Sequence, residues 1–329
     1  MSVSPEVRER AIDAVRLAGE LCRAVQAELT DSDALDKQDR SPVTVADFGA
    51  QAIVAHALSQ GDSDFGMVAE EASAVLRQPD QETLRSKVIA RVRERLGELS
   101  EEDVLGAIDR GRCEGGTGSF WTLDPIDGTK GFLRGDQYAI ALARVENGQV
   151  VFGVLGCPNL LHDAADPDGR RGCLFIAAQG EGAKWQSQDG KASGPIRVAD
   201  IEDPAAAAFC ESVESAHSAH GDSAKVAEIL GVQAEPFRID SQCKYAAVAR
   251  GDAAIYLRLP TRKDYREKIW DHAAGWIVIT EAGGRVTDVA GQDLDFSKGR
   301  ALEDNRGIIA TNGRFHDRVV AAVQSVIGG

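Results

Sequence analysis

Apolar residues recur at two spacings along this chain, and the spacings predict helices and strands in different places. Over residues 5–29 and 48–58 the apolar positions fall three or four residues apart, which predicts amphipathic helices. The charged stretch 79–110 has the same helical spacing, and Ser100 supplies a new N-cap within it. Shorter runs rich in β-branched and aromatic residues predict strands at 65–69, 120–123, 138–145, 150–155, 173–178 and 183–186.

The predicted elements differ in kind between the two halves of the chain. Turn residues between the strands of the first half predict hairpins, and hence antiparallel sheet. Beyond the glycine-containing segment 190–195 strands alternate with helices, as is typical of an α/β unit. We therefore predict an α/β protein with an N-terminal α+β lobe, 1–193, and a C-terminal α/β lobe, 194–329. Strands of the second lobe are predicted at 207–211, 237–239, 253–259, 286–289 and 307–310. Four helices are predicted with them: one that ends near Leu230, one that contains Lys244, one that starts at Asp271 and one that spans 314–326.

The net charge of the chain argues against two kinds of binding partner. The 329 residues carry a formal charge of −15. With a sequence pI near 4.9, this argues against a nucleic acid polymer or an anionic membrane, because both attract clustered lysine and arginine. The six cysteines have no C-x-x-C spacing, so we expect reduced thiols rather than a zinc site. The amino terminus includes charged residues and no apolar run reaches membrane-spanning length, so we expect a cytoplasmic protein.

Much of the candidate chemistry lies in the stretch 118–136, GSFWTLDPIDGTKGFLRGD. We predict a buried strand that ends at Asp124, because Pro125 lacks an N–H for strand pairing. Asp127 then begins a turn that caps a helix starting near Lys130 and leaves backbone N–H groups able to bind phosphate. The two carboxylates can converge on one point, where a cation such as Mg²⁺ would offset their repulsion. The alternative is that both residues only cap the turn and the helix.

Four further acidic residues stand at the ends of predicted elements. Asp47 lies at a helix start, where the ordinary role of an aspartate is that of an N-cap. Glu70 and Glu71 follow the predicted strand 65–69, at the end where α/β folds place ligands, although such a pair is often only a solvated edge. Asp271 lies at the start of a predicted buried helix. Position alone therefore leaves a structural role open for each of them.

Several motifs make the chain resemble a known family. Residues 124–129 match D-P-[IL]-D-G-[ST] at every position, and residues 270–275 match W-D-x-x-[AG]-[GA]. The segments that contain Asp47 and Glu70 match S-P-V-T-x-A-D and G-x-x-x-E-E of the same family. The chain therefore resembles the inositol monophosphatase superfamily of lithium-sensitive, Mg²⁺-dependent phosphomonoesterases. Residues 130–134, which continue the first motif, are more similar to the 3′(2′),5′-bisphosphate nucleotidase branch of that superfamily than to the inositol monophosphatase branch.

The resemblance implies a fold and a metal centre. The fold would be a layered αβαβα sandwich with the site between the lobes, and two or three Mg²⁺ ions would be bound by oxygen ligands. Asp47 and Thr129 would activate the attacking water, while Gly128 and Thr129 would bind phosphoryl oxygens through their N–H groups. The implied metal ligands are Glu70, Asp124 and the carbonyl of Ile126 for one ion and Asp124, Asp127 and Asp271 for another, with Glu71 beside them.

The resemblance also implies a substrate. We expect a phosphatase of sulfur metabolism that removes the 3′-phosphate of adenosine 3′,5′-bisphosphate to give AMP, acts also on 3′-phosphoadenosine 5′-phosphosulfate and is inhibited by Li⁺. Two alternatives stay open: a phosphatase of inositol or other sugar phosphates, and a metal- and nucleotide-binding sensor without turnover. Candidate residues for the rest of the substrate, each of which could instead cap a helix or face solvent, are Lys130, Arg134, His217, Ser241, Lys244 and Arg258.

Overall fold

Five alternating layers of helix and sheet make up the part of the chain that the computed structural model describes, residues 3–28, 45–62, 65–213, 220–262 and 264–328. The helices are α1 (Pro5–Ala27), α2 (Val45–Ser59), α3 (Glu82–Leu96), α4 (Glu101–Asp109), α5 (Thr129–Arg134), α6 (His220–Leu230), α7 (Cys243–Arg250), α8 (Ala273–Glu281) and α9 (His316–Ile327). The strands are β1 (Met67–Ala69), β2 (Ser119–Asp127), β3 (Ala139–Glu146), β4 (Gln149–Leu161), β5 (Arg171–Ala178), β6 (Gly182–Ser187), β7 (Ser193–Pro195), β8 (Phe209–Glu211), β9 (Phe237–Arg238), β10 (Ile255–Arg258), β11 (Arg285–Thr287) and β12 (Ile308–Thr311).

The larger sheet contains β1 to β7 in chain order. β1 is parallel to β2, and each later strand is antiparallel to the one before it, as the predicted hairpins require. Alternation along the strands gives the sheet two apolar faces. On one face Trp121 and Phe152 pack with Leu21 of α1 and Ile53 of α2. On the other face Phe175 belongs to the core that contains α7 and α8.

The smaller sheet has the strand order β11-β12-β10-β8-β9. β8 is parallel to β9 and to β10, whereas β12 is antiparallel to β10 and β11. Tyr256 and Ala310 on one face share the core of α7 and α8, so these two helices form the central layer. Ile255 on the other face packs with Val226 of α6 and Val319 of α9. The order of layers is therefore αβαβα, and the predicted fold class is confirmed.

Two predicted element boundaries were wrong near the candidate site. β2 does not end at Asp124 but resumes and runs to Asp127, which pairs with Ala139 after a register shift. The interruption falls at Pro125, because a residue without an N–H is tolerated in a strand at a bulge. The helix predicted to start at Asp271 begins later, as α8, after a 3₁₀ turn at Ile269–Asp271.

Two helices of the N-terminal half begin at side-chain caps, and the cap predicted at Ser100 is confirmed. Ser4 caps α1 by accepting the Val7 N–H at 3.3 Å. Ser100 and Asp103 form a reciprocal capping box, so the charged stretch 79–110 contains two helices, α3 and α4. The division into lobes at residue 193 stays a prediction, and β7, which extends the larger sheet, crosses it.

The buried His316 at the start of α9 gives a test of stability against pH. Its Nε2 and Nδ1 each lie 2.9 Å from a threonine hydroxyl, of Thr287 and Thr311 respectively. Burial, with the charge of Arg285 adding to it, lowers the pKa of His316 from 6.5 to about 4. Because the folded pKa of His316 lies below its unfolded pKa, the neutral ring contributes stability to the fold. This contribution is complete above about pH 6.5 and is lost as the pH falls towards 4.

We therefore expect the variant His316→Gln to lose less stability than the wild type between pH 7 and pH 4.5. The difference in the change of unfolding free energy should be about 2–3 kcal/mol, from a shift of about 1.4 kcal/mol per pKa unit. Urea denaturation at both pH values measures it, and subtraction of the variant cancels the contribution of other titrating groups. Parallel losses in the two proteins would show that His316 titrates normally.

Candidate active site

The bulge in β2 brings two carboxylates to one cavity. Asp124 and Asp127 flank the bulge, and both line the cavity. The side chain of Asp124 is buried, and its Oδ1 accepts the Ile126 N–H at 3.1 Å. Oδ2 of Asp127 accepts the N–H of Gln242, just before α7. A backbone donor therefore holds each carboxylate in place.

The register of β1 explains how Glu70 joins them. β1 is parallel to β2, and its last residue, Ala69, pairs with Leu123. The next residues on the two strands, Glu70 and Asp124, therefore lie at the same end of the sheet, and both line the cavity. Asp271 reaches the cavity from the 3₁₀ turn before α8. The four main carboxylates of the predicted metal centre are thus brought together.

The cavity has a volume of about 170 Å³. Of the predicted site residues that the structure describes, Asp47, Glu71 and Arg134 are not in its lining, whereas the others are. The lining residues are Glu70, Asp124, Ile126, Asp127, Gly128, Thr129, Lys130, Gly131, Ser212, Asp240, Ser241, Gln242, Lys244, Tyr245, Tyr256, Arg258 and Asp271.

Burial and mutual repulsion make these carboxylates hard to ionise together. Burial raises the pKa of Glu70 to about 9, and the charges of Asp271 and Glu71 add to the effect. The pKa of Asp124 is also raised, by burial and then by the charge of Glu70, and burial raises the pKa of Asp271 to about 6. A divalent cation among them would offset both effects, and Mg²⁺ prefers oxygen ligands. The donor set therefore fits Mg²⁺.

Asp47 and Glu71 lie beside the cavity. Asp47 is buried in the first turn of α2. Its charge adds to the larger effect of burial in raising the pKa of Glu71 to about 8. The side chain of Gln51 holds the backbone of Glu71, accepting its N–H at 3.0 Å and donating to its carbonyl at 2.8 Å. The structure thus places both residues near the clustered carboxylates of the cavity, and their roles stay predictions.

The arginines predicted to bind substrate have carboxylate partners within the protein. Arg134 is paired with Asp240, which lines the cavity, and is itself outside the lining. Arg258 lines the cavity, and its guanidinium lies 3.3 Å from Oδ2 of Asp271. His217 lies outside the described residues. Two of the cations that the sequence predicted for substrate binding are therefore paired with carboxylates of the protein itself.

Gln242 connects the two sequence motifs and was not predicted as a site residue. Its backbone N–H donates to Asp127 of the first motif. In the second motif its side chain donates to the carbonyl of Trp270 at 2.9 Å and accepts the N–H of Gly275 at 3.1 Å. Its sequence signal is its position directly after Ser241, a predicted substrate residue.

Gly275 is a glycine because the ring of Tyr245 packs directly against it. A Cβ at position 275 would lie 2.3–2.7 Å from three ring atoms. We therefore expect Gly275→Ala to lower the free energy of unfolding by about 1–3 kcal/mol, although alanine is the better helix former. The matched control is Gly106→Ala in α4. Among the described residues, no atom beyond the neighbouring helix backbone lies within 4 Å of a Cβ at position 106, so stability should be unchanged or higher. Equal unfolding midpoints for the two variants in urea would contradict this account.

Sequence comparison identifies the family. The model of the inositol monophosphatase family matches residues 4–327. The chain is 51% identical to a 3′(2′),5′-bisphosphate nucleotidase of Oryza sativa, over 95% of this chain and 92% of that protein. It is 45% identical to the protein of the same name from Emericella nidulans, over 89% of this chain and 90% of that one. The chain belongs to the inositol monophosphatase family, as its motifs predict.

Solved structures confirm the fold independently. The extragenic suppressor protein suhB from Bartonella henselae matches with a TM-score of 0.64 and 20% identity, over 97% of this chain and 98% of that one. An IMPase from Thermotoga maritima matches with a TM-score of 0.63 and 23% identity, over 96% of each chain. Among the described residues, none of the helices combines the length and apolar character needed to cross a membrane.

Proposed function

We propose that this protein is a Mg²⁺-dependent phosphomonoesterase that converts adenosine 3′,5′-bisphosphate to AMP and phosphate. 3′-Phosphoadenosine 5′-phosphosulfate is proposed as a second substrate. The observation that carries the proposal is a single cavity that contains both the acidic cluster and the buried Lys244. The relatives named 3′(2′),5′-bisphosphate nucleotidase, which match nearly the whole chain, support it.

The metal ligands follow from the residues of the cavity and from the family resemblance. Glu70, Asp124 and the carbonyl of Ile126 would hold one Mg²⁺, and Asp124, Asp127 and Asp271 would hold another. Glu71 is the proposed neighbour for a third. When bound, Mg²⁺ supplies acidification of water and stabilisation of charge on the phosphoryl and leaving oxygens.

Groups at the start of α5, together with Asp47 of α2, would position the attacking water and bind the phosphoryl group. The Thr129 hydroxyl donates to the carbonyl of Ile126 at 3.3 Å, which holds its oxygen at the metal side of the cavity. Thr129 would orient the attacking water, and Asp47 would accept the proton that the water loses. The N–H groups of Gly128 and Thr129 would donate to the phosphoryl oxygens as charge develops on them.

Lys244 is suited to a second phosphate. Its side chain is 4% exposed, and within the described parts of the chain its ammonium forms no ion pair with a carboxylate. Nζ lies 3.5 Å from the carbonyl oxygen of Ile239 and 5.3 Å from the centroid of the Tyr256 ring. A buried ammonium without a contacting anion is costly: burial lowers the pKa of Lys244, and the more distant charges of Asp127 and Asp240 only oppose this effect. The 5′-phosphate of a nucleoside bisphosphate would supply the missing anion, whereas inositol 1-phosphate has no second phosphate.

Phosphate release from purified protein tests the proposal. Adenosine 3′,5′-bisphosphate and inositol 1-phosphate are assayed in parallel, with Mg²⁺ and with EDTA. We expect Mg²⁺-dependent release with a clear preference for the bisphosphate. Preference for the inositol compound would replace the proposed substrate, and binding of the bisphosphate without phosphate release would indicate a sensor. Inhibition by Li⁺ stays a prediction from the family resemblance.

A further inference from the structure

A continuous chain of polar contacts leads from the core to Asp271. The Tyr245 hydroxyl lies 2.7 Å from Nδ1 of His272, and Nε2 of the same ring lies 3.2 Å from Oε2 of Glu267. The guanidinium of Arg258 lies 2.8 Å from Oε2 of Glu267 and 3.3 Å from Oδ2 of Asp271. The proposed metal ligand is thus the last member of a series of five side chains.

The donors and acceptors of this series allow one arrangement with a neutral histidine. A carboxylate only accepts, so Nε2–H of His272 donates to Glu267. Nδ1 then lacks a proton and accepts the hydroxyl hydrogen of Tyr245. Tyr245 and His272 are at most 1% exposed and Glu267 is 5% exposed, so water cannot easily replace these contacts. Glu267 is therefore held firmly from the side of the core.

Glu267 determines how strongly Arg258 competes for Asp271. An arginine next to a metal ligand attracts the carboxylate oxygen that the metal needs. Here the guanidinium is closer to Glu267 than to Asp271, and the charge of Glu267 offsets that of Arg258. Without that charge, Arg258 would pair with Asp271 alone and draw its oxygen away from a bound cation.

We propose that Glu267, His272 and Tyr245 are positioning residues that hold Arg258 so that Asp271 stays available to a divalent cation. The inference rests on the proposed function, which makes Asp271 a metal ligand. It is consistent with the general behaviour of metal sites, in which the partners of the ligands tune affinity.

A different role for the same residues is that they form a metal site of their own. Ligand atoms of Glu267, Asp271 and His272 lie within 4.8 Å of one another. Both nitrogens of His272 are already engaged, however, and the guanidinium of Arg258 contacts both carboxylates. The cation of this cluster is therefore Arg258.

The variant Glu267→Gln tests the inference, because it keeps the shape of the side chain and removes its charge. Binding of Mn²⁺ is followed by its electron paramagnetic resonance signal, and Mg²⁺ binding by calorimetry, with circular dichroism as a check of folding. We expect the metal dissociation constants to rise at least about tenfold, while kcat at saturating Mg²⁺ changes far less. Glu267→Asp, which restores the charge, should recover part of the affinity.

Glu211→Gln is the matched control. Glu211 is also a buried glutamate of the second half of the chain, paired with Arg238 at 3.1 Å, and it is outside the cavity lining. Removal of the negative charge of Glu211 should leave the metal dissociation constants unchanged. A second test is Tyr245→Phe, which removes one hydroxyl from the far end of the series and should raise the metal dissociation constant by less than Glu267→Gln does.

The outcomes separate this inference from the proposed function. If the wild type binds metal and hydrolyses the bisphosphate, but Glu267→Gln and Tyr245→Phe bind metal as tightly as it does, the positioning role is wrong and the function stands. Equal losses in Glu211→Gln and Glu267→Gln would also overturn it, because they would reflect general destabilisation. A wild-type protein that binds no divalent metal would overturn both.

Discussion

Replacing Asp127 with asparagine is expected to lower kcat for adenosine 3′,5′-bisphosphate by at least about a thousandfold, which corresponds to about 4 kcal/mol of transition-state stabilisation. The amide keeps the size of the side chain and an oxygen that can accept the Gln242 N–H. It removes the negative charge, and a neutral oxygen is the weaker ligand for Mg²⁺. The fold should therefore survive while the metal-dependent step is lost.

Steady-state phosphate release and thermal unfolding of the same preparations measure the two effects. The control is Asp136→Asn, since Asp136 is an exposed acidic residue close in sequence that pairs with Arg134 outside the cavity lining. It should retain near-normal turnover. Wild-type kcat in the folded Asp127→Asn protein would remove Asp127 from the site.

Replacing Lys244 with methionine is expected to lower kcat/KM for adenosine 3′,5′-bisphosphate by about 10- to 150-fold. This is the ~1.5–3 kcal/mol associated with a hydrogen bond to a charged group. Methionine fills most of the buried volume that the lysine stem occupies, so the loss reports the ammonium rather than a cavity. Adenosine 3′-monophosphate lacks the 5′-phosphate, and its kcat/KM should change little.

The ratio of the two substrates is the quantity that decides the role of Lys244. Lys225→Met serves as a control, because Lys225 is an exposed lysine of α6 that pairs with Asp222. It should leave both substrates unaffected. If Lys244→Met lost the same factor on the monophosphate as on the bisphosphate, Lys244 would act on the shared part of the substrate or on folding.

The residues recovered best from the sequence are those whose neighbours along the chain decide their position. Asp124, Asp127 and Thr129 lie in one turn, so their proximity follows from local geometry. Glu70 was found for a related reason, since it follows a strand and strand ends are where α/β folds place ligands. The family motifs then added Asp271, which lies far away in sequence, and the structure places it in the same cavity.

The end of β2 shows where local reasoning was insufficient. Pro125 cannot donate to a neighbouring strand, and from the sequence this predicted a strand end. Pairing of Asp127 with Ala139 lets the strand resume beyond the proline. Such pairing depends on the partner strand, so no property of the motif itself could have predicted it.

Short motifs in the sequence determined the family and, through the family resemblance, the layered fold, because such motifs need only a few neighbouring residues. The same motifs singled out acidic residues that the structure brings to one cavity. Only the tertiary structure decided what the buried charges and amides contact. In the folded chain Arg134 pairs with Asp240, and Arg258 lies between Glu267 and Asp271. The buried Lys244 forms no ion pair with a carboxylate among the described residues. The reason is physical: the cost of burying a charge depends on which groups the packed layers bring within a few ångströms, whatever their separation along the chain.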